Sequence, residues 1–253
     1  MLLRRFTHLD KLKNKVLGGS ILLFVWYILH LNNPLIAPSP LEAIKMFFIL
    51  SMEGELLLHL LHSLIRILGG ISLAVAIGYP SGILAGLSKR TNALLSSVVY
   101  YLHPIPKIAF LPLFMVGFGL GNTSKIILIF SILVFQVFIF TRDGIKDIHE
   151  DYFKVAQLMN LSPYTRFKRL LLPSTLPRLF SALRISMGIS ISVLFFAENY
   201  ATHYGIGYFI MNSWSMVNYE FMFAGIIAIA LLGSSLFWCL DQVERKVCPW
   251  LFL

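Results

Sequence analysis

The sequence from Asp151 to Arg184 reads DYFKVAQLMNLSPYTRFKRLLLPSTLPRLFSALR, and most of it belongs to a long polar interruption of an otherwise apolar chain. A helical pattern of residues runs to Met159, and Asn160 follows it. Ser162 and Pro163 then form a good N-cap and first-turn pair, which predicts a second, basic amphipathic helix that ends at Pro173. The stretch therefore predicts two short helices joined by a tight turn, and we call this unit, residues 151–173, the knob.

The knob carries apolar side chains that two short helices cannot bury on their own. Leu158, Met159 and Leu161 stand around the predicted turn, where we expect them to be exposed. Exposed apolar groups that lie together mark a surface for a partner protein. The knob is therefore predicted to bind a second protein.

The composition of the whole chain places it in a membrane. Of its 253 residues, 57% are hydrophobic and 13% are charged, and the mean hydropathy is +0.78. A soluble domain carries about 25% charged residues, so this chain cannot cover a water-facing surface. The net charge of +9 does not indicate nucleic-acid binding, because the sequence has no soluble basic domain to hold a nucleic acid.

Six apolar segments are long enough to cross a bilayer, which requires about 20 mostly apolar residues. They cover approximately residues 16–31, 64–87, 92–118, 122–141, 179–200 and 221–240. The predicted fold is an all-α integral membrane protein with about six transmembrane helices. Its parts are a basic N-terminus (1–15), a transmembrane domain (16–241) that includes the polar loop 142–178, and a tail (242–253).

The basic residues sort to one side of this six-span arrangement. Seventeen of the 21 lysines and arginines lie in the N-terminus, in the second and fourth connections, and in the tail. Cytoplasmic loops carry the excess of Lys and Arg in membrane proteins. We therefore expect a multi-pass protein of the cell (inner) membrane with both termini and the knob in the cytoplasm.

The third apolar segment contains helix-breaking residues near its middle, in the sequence His103-Pro104-Ile105-Pro106. Irregular backbone at membrane depth is tolerated only against protein or along a water-filled path. Pro104 and Pro106 are therefore candidates for the lining of a translocation pathway. Lys107 follows them, and it either attracts an anionic substrate or pairs with a carbonyl group near the broken helix.

Two further features of the spans bear on packing and transport. Glu198 lies near the end of a span, where a carboxylate is costly and usually functional; it is either a pathway residue or a helix-end residue hydrogen-bonded at the membrane surface. The second span has small residues at every fourth position: Gly70, Ala74, Gly78, Gly82 and Gly86. On a helix they form one ridge that lets another backbone approach closely, within this chain or in another.

The knob resembles the cytoplasmic loop signature of ABC importer permeases, EAA-x3-G-x9-I-x-LP. Lys154-Val155-Ala156 falls on EAA, Asn160 on the glycine, Leu170 on the isoleucine and Leu172-Pro173 on LP, without gaps. Three other stretches resemble the nitrate, sulfonate and taurine branch of these binding-protein-dependent transport inner-membrane components: His103 to Gly121, Ala197-Glu198, and Gly205 to Tyr208.

The chain departs from the family signature at two positions. Lys154 replaces the signature glutamate, which removes the ion pair that this glutamate would make with the ATPase; Asp151, one turn earlier, is the candidate replacement. Asn160 replaces the glycine. Where that glycine ends a helix in the left-handed conformation, Asn is the next best residue, so we expect the knob to keep its shape.

The resemblance implies the fold of a type I ABC importer permease and a set of partners. Two permease subunits, expected to be two copies of this chain, form the pathway within the membrane lipid, and an extracytoplasmic binding protein or domain delivers the solute. That solute is a small anion such as nitrate, a sulfonate, taurine or bicarbonate, or a vitamin precursor. The ATPase subunits dock on residues of the knob: Lys154, Ala156, Asn160, Leu161, Ser162, Pro163, Leu172 and Pro173.

The chain itself is not expected to be an enzyme. It lacks the phosphate loop G-x4-GK[ST], so ATP and Mg²⁺ belong to the partner ATPase, and no catalytic residue or bound cofactor is predicted. His59 and His62 have no third ligand nearby, and no metal site is predicted either.

Two other functions were weighed against transport by an ABC importer. A channel or secondary transporter with six spans is the main alternative, but the sequence shows neither charged rings nor inverted repeats. An intramembrane hydrolase is disfavoured because Gly188-Ile189-Ser190 lacks the flanking glycine of a serine motif. Phe153 also stands where a zinc motif beginning at His149 needs its second histidine.

Overall fold

A computed structural model describes residues 8–252, which form helices joined by short connections. The α-helices are α1 His8–Asn32, α2 Pro40–Met52, α3 Glu55–Leu87, α4 Lys89–Leu102, α5 Leu111–Phe118, α6 Asn122–Lys146, α7 Glu150–Leu158, α8 Pro163–Arg166, α9 Leu172–Ala197, α10 Ile206–Ser215 and α11 Tyr219–Val247. Short 3₁₀ turns cover Lys107–Phe110 and Pro249–Leu251, and a π turn covers Phe167–Leu171. Arg4 and Arg5 of the predicted basic N-terminus lie outside the described residues.

The helices agree with the predicted spans, although the count of six is approximate. Within residues 8–252, four continuous helices are long and apolar enough to cross a membrane: Glu55–Leu87, Asn122–Lys146, Pro163–Ala197 and Tyr219–Val247. The pair α4 and Lys107–Phe118 counts as a fifth span if its two parts are taken together. The first predicted segment is a shorter apolar helix, Leu17–Asn32, at the end of α1.

The third predicted span is broken, as its prolines indicated. The axes of Lys89–Leu102 and Lys107–Phe118 meet at 86°, and Pro104 and Pro106 lie at the corner. A proline has no N–H to continue a helix, and it disfavours helical backbone at the residue before it. The Lys107 ammonium donates to three carbonyl groups at the break, those of Leu102 (2.5 Å), His103 (3.2 Å) and Ile105 (2.9 Å).

The second helix of the knob does not end at Pro173, and that prediction was wrong. Helix α8 continues through the π turn into α9, so that residues 163–197 form one helical segment. A proline ring clashes with the carbonyl four residues earlier in an α-helix. The wider π turn relieves this clash, since the N–H of Leu172 bonds to the carbonyl of Phe167. The knob is therefore continuous with a membrane-spanning helix.

The ridge of small residues on α3 packs against α6 of the same chain, which decides between the two alternatives. A methyl group added at Gly70 would lie 2.4 Å from Ile129, and one at Gly82 would lie 2.8 Å from the carbonyl oxygen of Phe138. Gly86 lies against Ile145 in the same way. Residue numbers rise together on both helices, so α3 and α6 run parallel.

Helix α9 runs antiparallel to α6 and completes the core of the larger of two compact units, residues 58–208 with 229–253. Gly144 near the end of α6 lies against Arg178 near the start of α9, whereas Leu128 clusters with Ala197. One buried apolar cluster joins α3, α6, α9 and α11: Ile67, Ala74, Ile129, Leu133, Met187, Leu194 and Leu236.

The smaller unit combines the described residues up to 57 with residues 209–228. Its helix α2 begins with a capping box, in which the N–H of Glu42 donates to Ser39 Oγ (3.2 Å) and the N–H of Ser39 donates to the Glu42 carboxylate (2.8 Å). Within the same unit the Trp26 ring stacks on Phe223 with ring centres 5.3 Å apart. Its indole N–H donates to the carbonyl of Pro38 (3.1 Å).

Candidate functional site

Glu198 caps the end of α9 and is completely buried. Its carboxylate accepts three hydrogen bonds: from Arg66 Nη1 (2.5 Å), from Ser63 Oγ (2.7 Å) and from the backbone N–H of Gly207 (2.8 Å). Arg66, only 3% exposed, also donates through Nε to Asn122 Oδ1 (3.0 Å). We call Ser63, Arg66, Glu198 and the Gly207 amide the Glu198 cluster; it ties together α3, α9 and the start of α10.

This geometry explains the two glycines of the Gly205–Tyr208 stretch. Gly205 has φ of 158°, and a methyl group added to it would lie 2.5 Å from the Glu198 carboxyl carbon and 2.6 Å from Arg66 Nη1. A methyl group at Gly207 would lie 2.4 Å from the carbonyl oxygen of Phe195. Any side chain at either position would displace the loop from the ion pair. A buried ion pair needs good geometry to be stable, so this displacement would weaken the pair.

Sequence reasoning selected Glu198 but missed its partner Arg66. The available signal was an arginine inside an apolar span, since such a residue is costly unless it pairs. Glu198 is hydrogen-bonded at the end of a helix, but it lies in the protein interior and not at the membrane surface; its role in the pathway stays a prediction. His59 and His62 lie beside the same loop: His59 Nδ1 is 3.0 Å from the backbone of Gly205, and the His62 ring stacks on Tyr204.

A cavity of about 660 Å³ opens beside the Glu198 cluster, between the starts of α3 and α6 and the loop after α9. It is lined by His62, Arg66, Leu120, Gly121, Asn122, Lys125, Ala201, Thr202, His203 and Tyr204. Lys125 stands in the wall with no exposed surface of its own, and its ammonium donates to the carbonyl of Leu120 (3.2 Å). The lining is basic, and its titratable side chains are His62, Arg66, Lys125, His203 and Tyr204.

The knob lies at the opposite end of α6 from this cavity. Helix α6 begins at Asn122 in the cavity wall and ends at Lys146, four residues before α7. Its 25 residues give a length of about 37 Å at 1.5 Å per residue, which exceeds the roughly 30 Å of a bilayer's hydrocarbon core. The two candidate sites are thus separated by about one membrane thickness.

The knob closes with a helix terminator at Asn160. This residue has φ of 51°, its N–H bonds to the carbonyl of Gln157 (2.9 Å), and the N–H of Leu161 bonds to the carbonyl of Ala156 (3.1 Å). This pair of bonds is the Schellman motif, which requires a left-handed residue. Asn adopts that conformation more readily than other residues with a side chain, so the predicted role of Asn160 is confirmed in its geometry.

The turn after Asn160 leads directly into the next helix. Ser162 Oγ accepts the N–H of Thr165 (3.3 Å), and Pro163 occupies the first turn. Leu172 and Pro173, further along the same helix, are partly buried. The predicted N-cap at Ser162 is therefore present.

The apolar tip of the knob differs in one residue from the prediction. Leu158 is 86% exposed and Met159 is 66% exposed, but Leu161 is half-buried. The bond of Leu161 to Ala156, which is itself buried, folds this leucine back onto α7. Lys154 is exposed and pairs with Asp151 (3.1 Å), so the aspartate that is the candidate replacement for the signature glutamate is paired within the knob.

Comparisons with known proteins agree with the resemblance of the knob. Residues 78–248 match the family of binding-protein-dependent transport system inner membrane components. The chain is 31% identical to the taurine transport system permease protein TauC of Escherichia coli, over 91% of this chain and 87% of that protein. It is 32% identical to the putative aliphatic sulfonates transport permease protein SsuC of Bacillus subtilis, over 91% and 85%.

A third relative and one solved structure complete the comparison. The bicarbonate transport system permease protein CmpB of Synechococcus elongatus is 29% identical over 84% of this chain and 80% of that protein. The fold is similar to that of a chain of the MetNI methionine ABC transporter in an inward-facing conformation. The TM-score is 0.65 at 19% identity, and the match covers 78% of this chain and 98% of that chain.

Proposed function

The chain belongs to the family of binding-protein-dependent transport system inner membrane components, and from this premise we propose that two copies of it form the pathway of an importer for a small anion. As a family member it is the permease subunit of an ABC transporter and not an enzyme. The family works with a separate ATPase and with a substrate-binding protein.

The ATPase docks on the knob, and the main observation in support is the exposed apolar tip of the knob. Leu158 and Met159 stand out from the turn between α7 and α8 with most of their surface uncovered. Apolar anchors that fill a pocket contribute most of the binding energy of an interface. Because α8 continues into α9, a movement of the docked ATPase would pass directly to a membrane-spanning helix. The candidate contact residues are those already named for the knob, with Leu158 added.

The knob and the termini face the cytoplasm, and the Glu198 end faces outside. The distribution of lysine and arginine supports this sidedness, and helix direction supports the six-span topology on which it rests. Six spans require α3 and α6 to run the same way and α9 to run the opposite way, which is the arrangement of their contacts. In this orientation the basic cavity opens towards the binding protein.

The substrate is a small anion. Relatives are named for taurine, aliphatic sulfonates and bicarbonate, and each of these carries an oxyanion group. Basic side chains of the cavity, Arg66 and Lys125 among them, are of the kind that recognises such groups. Lys107 is not needed for this role, since its ammonium is engaged by carbonyl groups of the bend.

A second copy of the chain and membrane lipid cover the apolar faces of α4 and α5. No residue of α4 is buried, and Leu94, Tyr100 and Val116 are largely exposed. The bend at Pro104 and Pro106 belongs to this surface. Irregular backbone at membrane depth needs protein or a water-filled path beside it, so we place this face at the pathway between two permeases. ATP and Mg²⁺ are held by the ATPase.

The docking proposal is tested by replacing Leu158 with Glu in a tagged permease that is co-expressed with its ATPase. The side chain is exposed, so insertion and folding should be unchanged, whereas a charge buried in an apolar socket should release the ATPase. Leu158→Met is the matched control, because it keeps an apolar side chain of similar size. Full recovery of the ATPase with Leu158→Glu, together with normal transport, would exclude the knob as the docking element.

A further inference from the structure

The cavity beside the Glu198 cluster contains more buried positive charge than its carboxylate can balance. Arg66 and Lys125 are both buried, at 3% and 0% exposure, and Glu198 is the carboxylate of the cluster. That carboxylate is paired with Arg66. Among the residues that the structure describes, no carboxylate oxygen lies within 4.0 Å of Lys125, whose ammonium bonds instead to a neutral carbonyl group.

Buried charges in proteins are paired or bind an ion of opposite sign. Lys125 has three N–H donors and uses one of them, on Leu120. Arg66 has five donors, and Glu198 and Asn122 take two of them. Both residues therefore keep donors for a further acceptor, and they do so in the wall of a cavity large enough for a small solute.

Two other features of the cavity favour an anion. Helix α6 begins at its wall, and no side chain caps the helix at Gly121. The free N–H groups of a helix N-terminus attract anions. His62 Nδ1 is buried without a hydrogen-bond partner, and His203 stands exposed in the lining, next to Thr202 and Tyr204.

We infer that this cavity is an oxyanion-binding site of the permease itself, built from Arg66, Lys125, His62 and the N-terminus of α6. It accepts a sulfonate or carbonate group of the size found in small organic and inorganic anions. The inference deepens the proposed function, on which it rests for the idea that the substrate is an anion. In the proposed orientation the site receives the solute directly from the binding protein.

Glu198 lowers the positive charge of the site without binding the anion itself. Its charge holds Arg66 in place and cancels part of the positive field, which leaves one uncompensated cation for a monovalent anion. A binding site that conducts must hold its ion weakly enough to release it. The pairing of Arg66 with Glu198 serves this purpose, because it removes one of the two full charges that would otherwise hold the anion.

The test uses the purified complex of permease and ATPase in detergent, without binding protein, and measures its thermal midpoint as methanesulfonate is added at constant ionic strength. Dimethyl sulfone has a similar shape but no charge, so it serves as the control ligand. A ligand that binds the folded state raises the midpoint. We expect methanesulfonate to raise the midpoint and dimethyl sulfone to leave it unchanged.

Two variants locate the effect in the cavity. Lys125→Met removes the charge and keeps the side-chain length, and we expect it to raise the half-maximal methanesulfonate concentration by about tenfold or more, as loss of a charge-assisted hydrogen bond does. His203→Glu changes an exposed residue, so folding should be kept, yet its negative charge should weaken binding as well. Lys89→Met, an exposed lysine at the start of α4, is the matched control and should respond like the wild type.

The site is excluded if the wild-type midpoint does not respond, if dimethyl sulfone acts like methanesulfonate, or if Lys125→Met and His203→Glu both respond like the wild type. These outcomes differ from failure of the proposed substrate class. If reconstituted importer carries anions while both variants respond like the wild type, the substrate class stands and the site fails. If the midpoint responds as expected but no anion is carried, the site stands and the substrate class fails.

Discussion

Replacing Glu198 with Gln should destabilise the permease strongly, because it leaves a buried arginine without a counter-charge. Gln keeps the shape of the side chain, but its single amide oxygen can replace only one of the two carboxylate oxygens, either the one that accepts from Ser63 or the one that accepts from Gly207. It cannot neutralise Arg66, which is 3% exposed and has only the neutral Asn122 as its other partner. Lys125, also without exposed surface, adds a second uncompensated charge nearby.

The size of the loss follows from the burial of both partners. Removing one partner of a buried ion pair costs about 3–5 kcal/mol. A folded domain is stable by about 5–15 kcal/mol, so the Glu198→Gln protein should lose a large part of its unfolding free energy. The double variant Arg66→Met with Glu198→Met should lose less than the two single changes added together, since no unpaired charge of the pair remains.

Reversible unfolding of the purified permease in mixed micelles measures these differences in unfolding free energy. The wild type, the single variants Arg66→Met and Glu198→Met, and the double variant form the cycle. Glu198→Gln within about 0.5 kcal/mol of the wild type, the range of ordinary surface changes, would refute the reasoning. So would strictly additive losses in the cycle. A stable Glu198→Gln protein that does not transport would return this residue to the direct pathway role that its position in the sequence first suggested.

Three further predictions address the packing, the knob and the orientation. Gly82→Ala should lower the unfolding free energy by about 1–3 kcal/mol, the usual cost of overpacking, because the new methyl group meets the carbonyl oxygen of Phe138 at 2.8 Å; Gly18→Ala, with nothing within 4 Å, should not. In the knob, Asn160→Gly should keep its ATPase in a co-purification assay, whereas Asn160→Pro should lose it, since proline cannot adopt the φ of 51° found there. A cysteine at position 89 should resist a membrane-impermeant thiol reagent in intact cells and react after permeabilisation; ready labelling in intact cells would overturn the proposed sidedness.

The sequence predicts most of the fold because membrane spans and caps are local signals. Apolar length marked the spans, the prolines at 104 and 106 marked the bend, and Ser162-Pro163 marked the start of a helix. Each of these depends on a residue and its close neighbours. The same reasoning fails at Pro173, because a π turn accommodates a proline that would end an ordinary α-helix. No residue type indicates that turn in the sequence.

The Glu198 cluster could be predicted only in part, since its members lie far apart in the chain. Arg66 and Glu198 are 132 residues apart, and the periodicity of a single sequence does not predict contacts between residues so far apart. Lys125 is one of the four basic residues that lie outside the predicted cytoplasmic segments. Its burial and its place in a cavity follow from how α6 packs, which the sequence does not specify directly.

Reconstituted transport tests the central claim, that this chain is the permease subunit of an ATP-driven importer. The permease, its ATPase and its binding protein are purified separately and combined in liposomes, and uptake of taurine, methanesulfonate and bicarbonate is measured. We predict uptake of at least one of these three solutes that requires ATP and all three components. An ATPase variant lacking its phosphate-loop lysine should abolish this uptake. Flux through the permease alone, driven by a solute or ion gradient without ATP, would contradict the claim and identify a channel or secondary transporter instead.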